Sequence, residues 1–489
     1  MTTMQATAGY VPGVPAADLR WQPLVFESGA TRLEVAMPVL SAQQMTALAL
    51  RVKRASRLHL KTMTVSQIVA VVDRAIARLL DPRDCYRQQA DQLLPIVSGY
   101  DAEMVRLGLT AFFKTFREPQ LQRFLVEDFA NPKLLDEFQP RPKGGAARAF
   151  GPDLLVHSWA GNVPALPLWS LVCGLLVKAG NIGKLPSAEP LFAGLFARLL
   201  AEVHPPLADC LAVVWWKGGE EELASALYAE ADTVLAYGSN DSLEKIRSRL
   251  PVTTRFLPYG HKLGFGLVGT AALDSLRAPE TARQAASDVM RYDQQGCYSP
   301  HVFYVERGGR VSPRDFAQYL GNELANLQHR FPRRALALED STAIAGWRQA
   351  IELQSMSAGG EPVDELIGDD AAPWGVAYAD EVRALLPTAL NRSIQVVAVD
   401  SLEQAIAQVG AHQRFLQTAG VAAAPAELFR LSQLLGAAGV TRIAAIGSMT
   451  SPEAGWHHDG RFNLLDLVRM VEIEQSAESA ADQLAPYAD

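Results

Sequence analysis

Apolar residues recur at three- and four-residue spacing through Ala42–Ser56, Thr64–Leu80 and Glu103–Phe116, which predicts amphipathic helices across the stretch from Ser41 to about Phe129. The stretch before it, roughly the first 35 residues, is punctuated by Pro and Gly and reads as extended. The cluster Gln139-Pro-Arg-Pro-Lys-Gly-Gly145 interrupts the helical pattern and marks an organisational boundary. Beyond it, short apolar runs alternate with helical segments. Leu154–Trp159 reads as a strand, Pro164–Lys178 as a helix closed by Gly180-Asn181, and Ile182–Leu185 as a strand. Glu189–Val203 reads as a helix, Leu211–Trp216 as a strand followed by Gly218-Gly219, and Glu220–Glu230 as a helix. Thr233–Tyr237 reads as a strand and Asp241–Leu250 as a helix with Asp241 at its cap.

A second run of the same kind begins near Leu263. Gly264–Val268 and His301–Glu306 read as strands, Ala282–Arg291 and Pro313–Phe331 as helices. Ile394–Val399, a stretch near Gly420 and Arg442–Ile446 read as strands, interleaved with helices Leu402–Val409 and Ala426–Leu435. Strands alternating with helices at this pace imply βαβ units and mostly parallel sheets, so the fold class is α/β with two such units in series. The expected domains are a helical N-terminal region over 1–150, α/β domains over 151–262 and 263–446, and a C-terminal segment over 447–489.

Composition removes several function classes. The 489 residues hold 45 Lys and Arg against 53 Asp and Glu, a net charge of −8, which argues against a nucleic-acid partner. The longest nearly apolar run, Val163 to Val177, falls short of the roughly 20 residues needed to cross a bilayer, so no membrane span is expected. The N-terminus shows no basic stretch followed by an apolar one, and a cytoplasmic location is expected. Four scattered cysteines form neither a disulfide framework nor a CxxC pair, so no metal is expected.

Candidate chemistry centres on Cys297, in a Gly-Cys-Tyr-Ser-Pro turn just before an apolar strand. A thiolate there would be a good nucleophile, whereas a packed thiol would be a small hydrophobe. In Trp159-Ala-Gly-Asn-Val-Pro164, Asn162 follows a strand and precedes a helix. It reads either as an N-cap or as an amide donor to an oxyanion. Gly264-Phe-Gly-Leu-Val-Gly269 matches GxGxxG only in letters, because its glycines lie within a strand-like run. His457-His458-Asp459 reads as a solvated loop.

Four segments then fall into one order: Ser158-Trp-Ala-Gly-Asn162, Ala179-Gly-Asn-Ile-Gly-Lys-Leu-Pro-Ser187, Tyr237-Gly-Ser239 and Gln294-Gln-Gly-Cys297. This set resembles the aldehyde dehydrogenase superfamily. Asp293-Gln-Gln-Gly296, Ser299-Pro-His-Val-Phe-Tyr-Val305, Tyr259-Gly-His-Lys262 and Trp456-His-His-Asp-Gly460 make it similar to the acyl-CoA reductase branch, the LuxC family, over roughly residues 150–475.

The resemblance implies an aldehyde dehydrogenase-like fold of two Rossmann-type, doubly wound parallel-sheet domains with a small oligomerisation element, the C-terminal segment returning to the first domain. It implies a reductase that converts acyl-CoA to aldehyde with NADPH through an acyl-cysteine intermediate, Cys297 acting as nucleophile and Asn162 as oxyanion donor. Trp159, Lys184, Ser187, Gly218, Gly238 and Ser239 are the cofactor-binding residues it implies. Acyl-CoA and CoA are the implied ligands, with a homo-oligomer, a dimer or tetramer, as the assembly and an acyl synthetase or carrier protein as a partner. Two departures stand out. Pro258 occupies the place of the glutamate that activates water in hydrolytic members, with His261 three residues on as the nearby group able to replace it. Leu185 separates Lys184 from Pro186, where the family segment reads Lys-Pro-Ser. Competing readings are an oxidative aldehyde dehydrogenase, separated by a CoA requirement, and a thioester relay that binds no nicotinamide cofactor.

Overall fold

A computed structural model describes residues 2–357 and 364–486. The extended N-terminal stretch forms strands β1 (Thr2–Thr7), β2 (Arg20–Ser28) and β3 (Thr31–Val39), with β3 central, parallel to β1 and antiparallel to β2. Five helices follow: α1 (Ala42–Ala55), α2 (Val65–Leu80), α3 (Cys85–Ser98), α4 (Ala102–Lys114) and α5 (Glu118–Asp128). Ser41 and Thr64 open α1 and α2 with capping boxes, each hydroxyl accepting an N–H three residues on while Gln44 and Gln67 return the bond.

The alternating region then supplies β4 (Gln139–Pro140), β5 (Ala146–Phe150), β6 (Leu154–Ser158), α6 (Pro167–Leu176), β7 (Gly180–Lys184), α7 (Phe192–Val203), β8 (Leu211–Val214), α8 (Glu221–Tyr228), β9 (Thr233–Tyr237), α9 (Asn240–Arg247) and β10 (Arg255–Tyr259). The second run gives β11 (Leu263–Val268), α10 (Arg277–Met290), β12 (Pro300–Glu306), α11 (Pro313–Arg330), α12 (Leu338–Ser357), β13 (Asp364–Ile367), β14 (Gly375–Ala379), β15 (Ser393–Val399), α13 (Leu402–Val409), β16 (Leu416–Ala422), α14 (Pro425–Ala437) and β17 (Arg442–Ala445). The chain closes with β18 (Arg469–Ile473) and α15 (Gln475–Leu484). Among the described residues, no helix is long and apolar enough to cross a membrane.

Two compact units result. One combines the residues up to Ser98, Leu107–Gly260 and the segment from Glu453; the other combines Gly99–Arg106 with His261–Pro452. The first holds a five-stranded parallel sheet of order β10-β9-β6-β7-β8. From β6 the chain winds outward through β7 and β8, then crosses back to β9 and β10, so the direction of winding reverses between β6 and β9. Ligands of open α/β sheets bind outside the strand ends at such a point. Leu154, Val156, Ile182, Ala212, Val214 and Val234 cover one face and pack with α1 and α8. In the same unit β18 pairs antiparallel with β5, which pairs with β4.

The second unit holds a seven-stranded sheet of order β13-β14-β15-β12-β11-β16-β17, parallel except for β13. Its strands are apolar on both sides. Phe303, Val305, Val396 and Ala398 pack with α10 and α11, while Val302, Tyr304, Val397 and Val399 pack with α13 and α14. The period of two therefore fills two cores rather than one.

Several local expectations are corrected. Helix α6 starts at Pro167, not Pro164, and its N-cap is Leu166 without a side-chain bond, so Asn162 is not its cap. The left-handed residue after α6 is Lys178, at φ 62°, rather than Gly180. Its position is fixed by the bond from Lys178 Nζ to Asp136 Oδ1 at 2.6 Å. Ser239, not Asp241, caps α9 by accepting the Ser242 N–H.

Candidate active site

Every candidate residue of the first unit falls at the carboxyl edge of its sheet. Ser158 ends β6, and Trp159 and Asn162 follow it; Lys184 ends β7, with Ser187 beyond; Gly218 lies in the loop after β8; Gly238 and Ser239 follow β9. Parallel strands deliver all of these to one side because each connection must return to the opposite edge. Asn162 is exposed, in the turn ahead of α6. Lys184 lies over the Trp216 ring at 5.6 Å, and burial holds its ammonium below the usual lysine range. The Ser187 hydroxyl accepts from Trp215 Nε1 at 3.3 Å. A Cβ built at Gly218 or Gly219 would meet nothing within 4 Å, so this loop is open.

Trp159 differs from its neighbours. Its ring is buried, donates from Nε1 to Ser170 Oγ at 2.8 Å, and packs where a Cβ on Gly183 would lie 1.6 Å from it. Its side chain is therefore core, and only its backbone stands at the edge. The His457-His458 segment also departs from expectation. His458 is buried, not solvated, and stacks on Tyr259 at 4.5 Å and near Trp456 at 4.8 Å; Tyr259 stacks on Tyr237 at 5.0 Å. This aromatic group covers the ends of β9 and β10, and Pro258 lies within β10 beside it.

Cys297 belongs to the second unit. It occupies the second position of a turn closed by the Ser299 N–H bonding to Gly296 O at 3.0 Å, directly ahead of β12. The approach to this turn is strained. Tyr292, Asp293 and Gln294 are all left-handed, with φ of 49°, 49° and 63°. So are Leu390, Asn391 and Arg392, at 56°, 51° and 70°. Non-glycine residues in this region are disfavoured and persist only where the surroundings enforce them.

The enforcing contacts form a clasp between the two left-handed segments. Asn391 N–H donates to Asp293 O at 2.9 Å, and Arg392 Nε donates to Asp293 Oδ1 at 2.7 Å, with both side chains at 0% exposure. Asp293 Oδ2 accepts the Arg334 N–H at 3.1 Å, and Arg392 Nη1 donates to Gln328 Oε1 at 2.7 Å. Gln294 Nε2 donates to Pro300 O at 2.8 Å and Ser393 O at 3.1 Å. Four residues beyond the nucleophile, His301 Nδ1 accepts the Thr388 N–H at 3.2 Å, and burial pushes its pKa down to about 4, so this imidazole is neutral. His261, the other histidine considered for proton transfer, is exposed. Arg392, Arg334 and Gln417, which contacts Cys297, carry no local motif and escape sequence reading, and the quoted segment Ser299–Val305 contains His301 without marking it out.

The fold so described is that of the aldehyde dehydrogenases. It is similar to an indole-3-acetaldehyde dehydrogenase of P. syringae, with a TM-score of 0.73 at 13% identity over 95% of this chain and 96% of that one. It is likewise similar to an NADP-dependent glyceraldehyde-3-phosphate dehydrogenase from Bacillus halodurans, with a TM-score of 0.69 at 13% identity, covering 93% and 96%. Within that fold, the model of the LuxC acyl-CoA reductase family matches residues 60–470, and the chain belongs to this family. It is 24% identical over 382 residues to the long-chain acyl-protein thioester reductase of Vibrio harveyi, covering 77% of this chain and 76% of the relative. It is 26% identical over 392 residues to that of Photorhabdus luminescens, covering 79% and 77%.

Proposed function

We propose that this protein reduces a fatty acyl-CoA thioester to the aldehyde with NADPH, through an acyl group carried on Cys297. The carrying observation is the Cys297 turn: a thiol at the tip of a strained segment that a buried network holds in place. Attack by the Cys297 sulfur on the thioester carbonyl expels CoA as its thiolate and leaves the acyl group on Cys297. Asn162 and the Cys297 backbone N–H are assigned to the oxyanion of the tetrahedral state.

The residues at the edge of the first sheet fit a dinucleotide. The open Gly218–Gly219 loop and the N-terminus of α9 behind Gly238-Ser239 suit a pyrophosphate. Lys184 and Ser187 would stand near the adenine ribose, where a cation suits a 2′-phosphate. NADPH, when bound, supplies a hydride to the acyl carbon.

Pro258 decides between fates of the acyl group. It stands where hydrolytic members of the superfamily carry the carboxylate that deprotonates water, and it has no proton acceptor to offer. The acyl group on Cys297 is then protected from hydrolysis, and return to CoA or reduction prevails. The relatives are named for acyl-protein thioesters and the family for acyl-CoA; both donors present the same S-acyl carbon. The test is a panel of acyl-CoAs from acetyl to stearoyl, with NADPH or NADH, scored for aldehyde. Aldehyde that appears only with thioester and reduced cofactor supports the reading. Rapid release of free acid without NADPH overturns it.

A further inference from the structure

The second residue of β16, Gln417, has no role in the chemistry described above, yet it is fully buried and reaches the nucleophile. Its Nε2 lies 3.5 Å from Cys297 Sγ with hydrogen-bond geometry, and its Oε1 lies 3.4 Å from Thr418 Oγ1. The two ends of the amide are distinguished by chemistry. A thiolate has no proton to give, so it selects the N–H₂ end, and the oxygen turns to the threonine hydroxyl.

The sheet is built to bring these groups together. In the β11–β16 pairing, Leu263 opposes Leu416 and Phe265 opposes Ala419, so Gln417 and Thr418 together face Gly264 alone. In the β11–β12 pairing, Gly264 opposes Pro300 and Phe265 opposes Val302, which leaves His301 as an extra residue. A bulge of this kind kinks a strand and re-aims a side chain. Gly264 lets the nucleophile turn approach, because a Cβ there would lie 2.6 Å from Ser299 O and 2.9 Å from Tyr298 O. A buried amide near the start of a strand requires partners, and here one of them is the sulfur.

We propose that Gln417 is a catalytic residue that stabilises the Cys297 thiolate by N–H···S donation. The sulfur is anionic at both ends of the cycle. On attack, the Cys297 sulfur adds to the carbonyl to give the tetrahedral oxyanion, and collapse of that state breaks the C–S bond to CoA, which leaves as thiolate. On aldehyde release, the C–S bond to Cys297 breaks and its electron pair returns to sulfur. A donor aimed at that sulfur stabilises both states, and acts before any cofactor is needed. The inference shares with the proposed function only the choice of Cys297 as nucleophile.

The test is the pH dependence of Cys297 alkylation by iodoacetamide, followed by peptide mass spectrometry because Cys85 is exposed and Cys297 only half-buried. Gln417→Met keeps the shape and removes the donor. We expect its profile to move about one pH unit upward, with alkylation at pH 7 about tenfold slower and the melting temperature near that of the unmodified protein. Gln417→Glu should move it further, because a carboxylate would face the thiolate. Profiles that superimpose on the unmodified protein's overturn the proposal. If only the Glu variant folds, the same criterion applies to it. If neither folds, an unmodified-protein midpoint at or above the ordinary thiol value of about 8.5 overturns the proposal, and a lower one supports it. Labelling of Cys297 by acyl-CoA is scored separately: its absence would remove the reductase reading while the alkylation comparison still decides the role of Gln417.

Discussion

Beneath the carboxyl edge of the first sheet, two enclosed titratable groups are both pushed toward neutrality. Burial lowers His157 to about 4 while its Nε2 donates to Asn181 Oδ1 at 3.0 Å. Burial raises Glu189 to about 7, although its Oε1 accepts the Leu191 and Phe192 N–H groups, each at 2.9 Å, at the start of α7. Beneath the Cys297 turn, Asp293 and Arg392 are just as enclosed but meet as a salt bridge at 2.7 Å. The first arrangement limits the negative charge beneath the edge where Lys184 and an anionic cofactor are proposed to meet. The second adds no net charge near a thiolate but ties two strained segments together. Neutral scaffolding tolerates a neutral isostere; half of a buried ion pair leaves a desolvated charge behind.

The sharpest break in this contrast is at the sulfur itself. Cys297→Ala should abolish both aldehyde formation and covalent labelling by acyl-CoA, and Cys297→Ser should be far slower, since a hydroxyl is the weaker nucleophile near neutral pH. Mass spectrometry of the Ala variant after incubation with acyl-CoA checks this: a retained acyl adduct would move the nucleophile elsewhere. Next in size is the clasp. Asp293→Asn keeps the shape but strands the Arg392 guanidinium, and should cost about 3–5 kcal/mol in urea unfolding. A double replacement, Asp293→Leu with Arg392→Met, should recover part of that loss. Near-wild-type stability of Asp293→Asn would show that the pair is not what holds the turn.

The legible and illegible parts of the chain divide along the same line. Strand–helix alternation and the segments holding Asn162, Lys184, Gly238 and Cys297 are local patterns, so their order could be read from the letters, as could the edge that Asn162, Lys184 and Gly238 share. The clasp could not. Asp293 is separated from Arg392 by about a hundred positions, and nothing near either residue signals the other. Gln417 looks like an ordinary polar residue until the bulge opposite Gly264 aims it at the sulfur. His458 reads as solvated because two adjacent histidines in a Gly-flanked segment suggest solvent, whereas Tyr237 and Tyr259, from distant strands, stack on it beside its near neighbour Trp456. The region of α12, β13 and β14 yielded no element because α12 has no continuous apolar face to reveal it.

On the cofactor side, Asn162→Ala should lower turnover by about 10²–10³, the usual loss for one oxyanion donor. NADPH affinity should stay unchanged and the melting temperature should move little, because the N-cap position of α6 is Leu166 rather than Asn162. Steady-state kinetics beside a melting curve decides. A lower melting temperature with normal turnover per folded molecule would make Asn162 part of the scaffold.

The smallest effect expected is a pH signature of the neutral pair. Between about pH 4.5 and 7 the unfolded chain ionises Glu189 while the folded chain retains its proton, so this group makes stability fall as pH rises. His157 acts in the opposite sense: from pH 6.5 down to about 4 the unfolded chain takes up a proton that the folded chain refuses, so stability is lost as pH falls. Across the overlap, from about pH 4.5 to 6.5, the two slopes oppose each other, and each is about 1.4 kcal/mol per pH unit. Glu189→Gln removes one of them. Weaker bonds to the Leu191 and Phe192 N–H groups offset part of the gain at every pH, so the variant should fall about 1 kcal/mol below the unmodified protein near pH 4 and exceed it by on the order of 2 kcal/mol at pH 8. Urea unfolding at pH 4, 5.5, 7 and 8 measures the difference. A difference that does not change with pH would mean that Glu189 titrates like a surface carboxylate, and the contrast between a neutral cofactor edge and a charged nucleophile clasp would not hold.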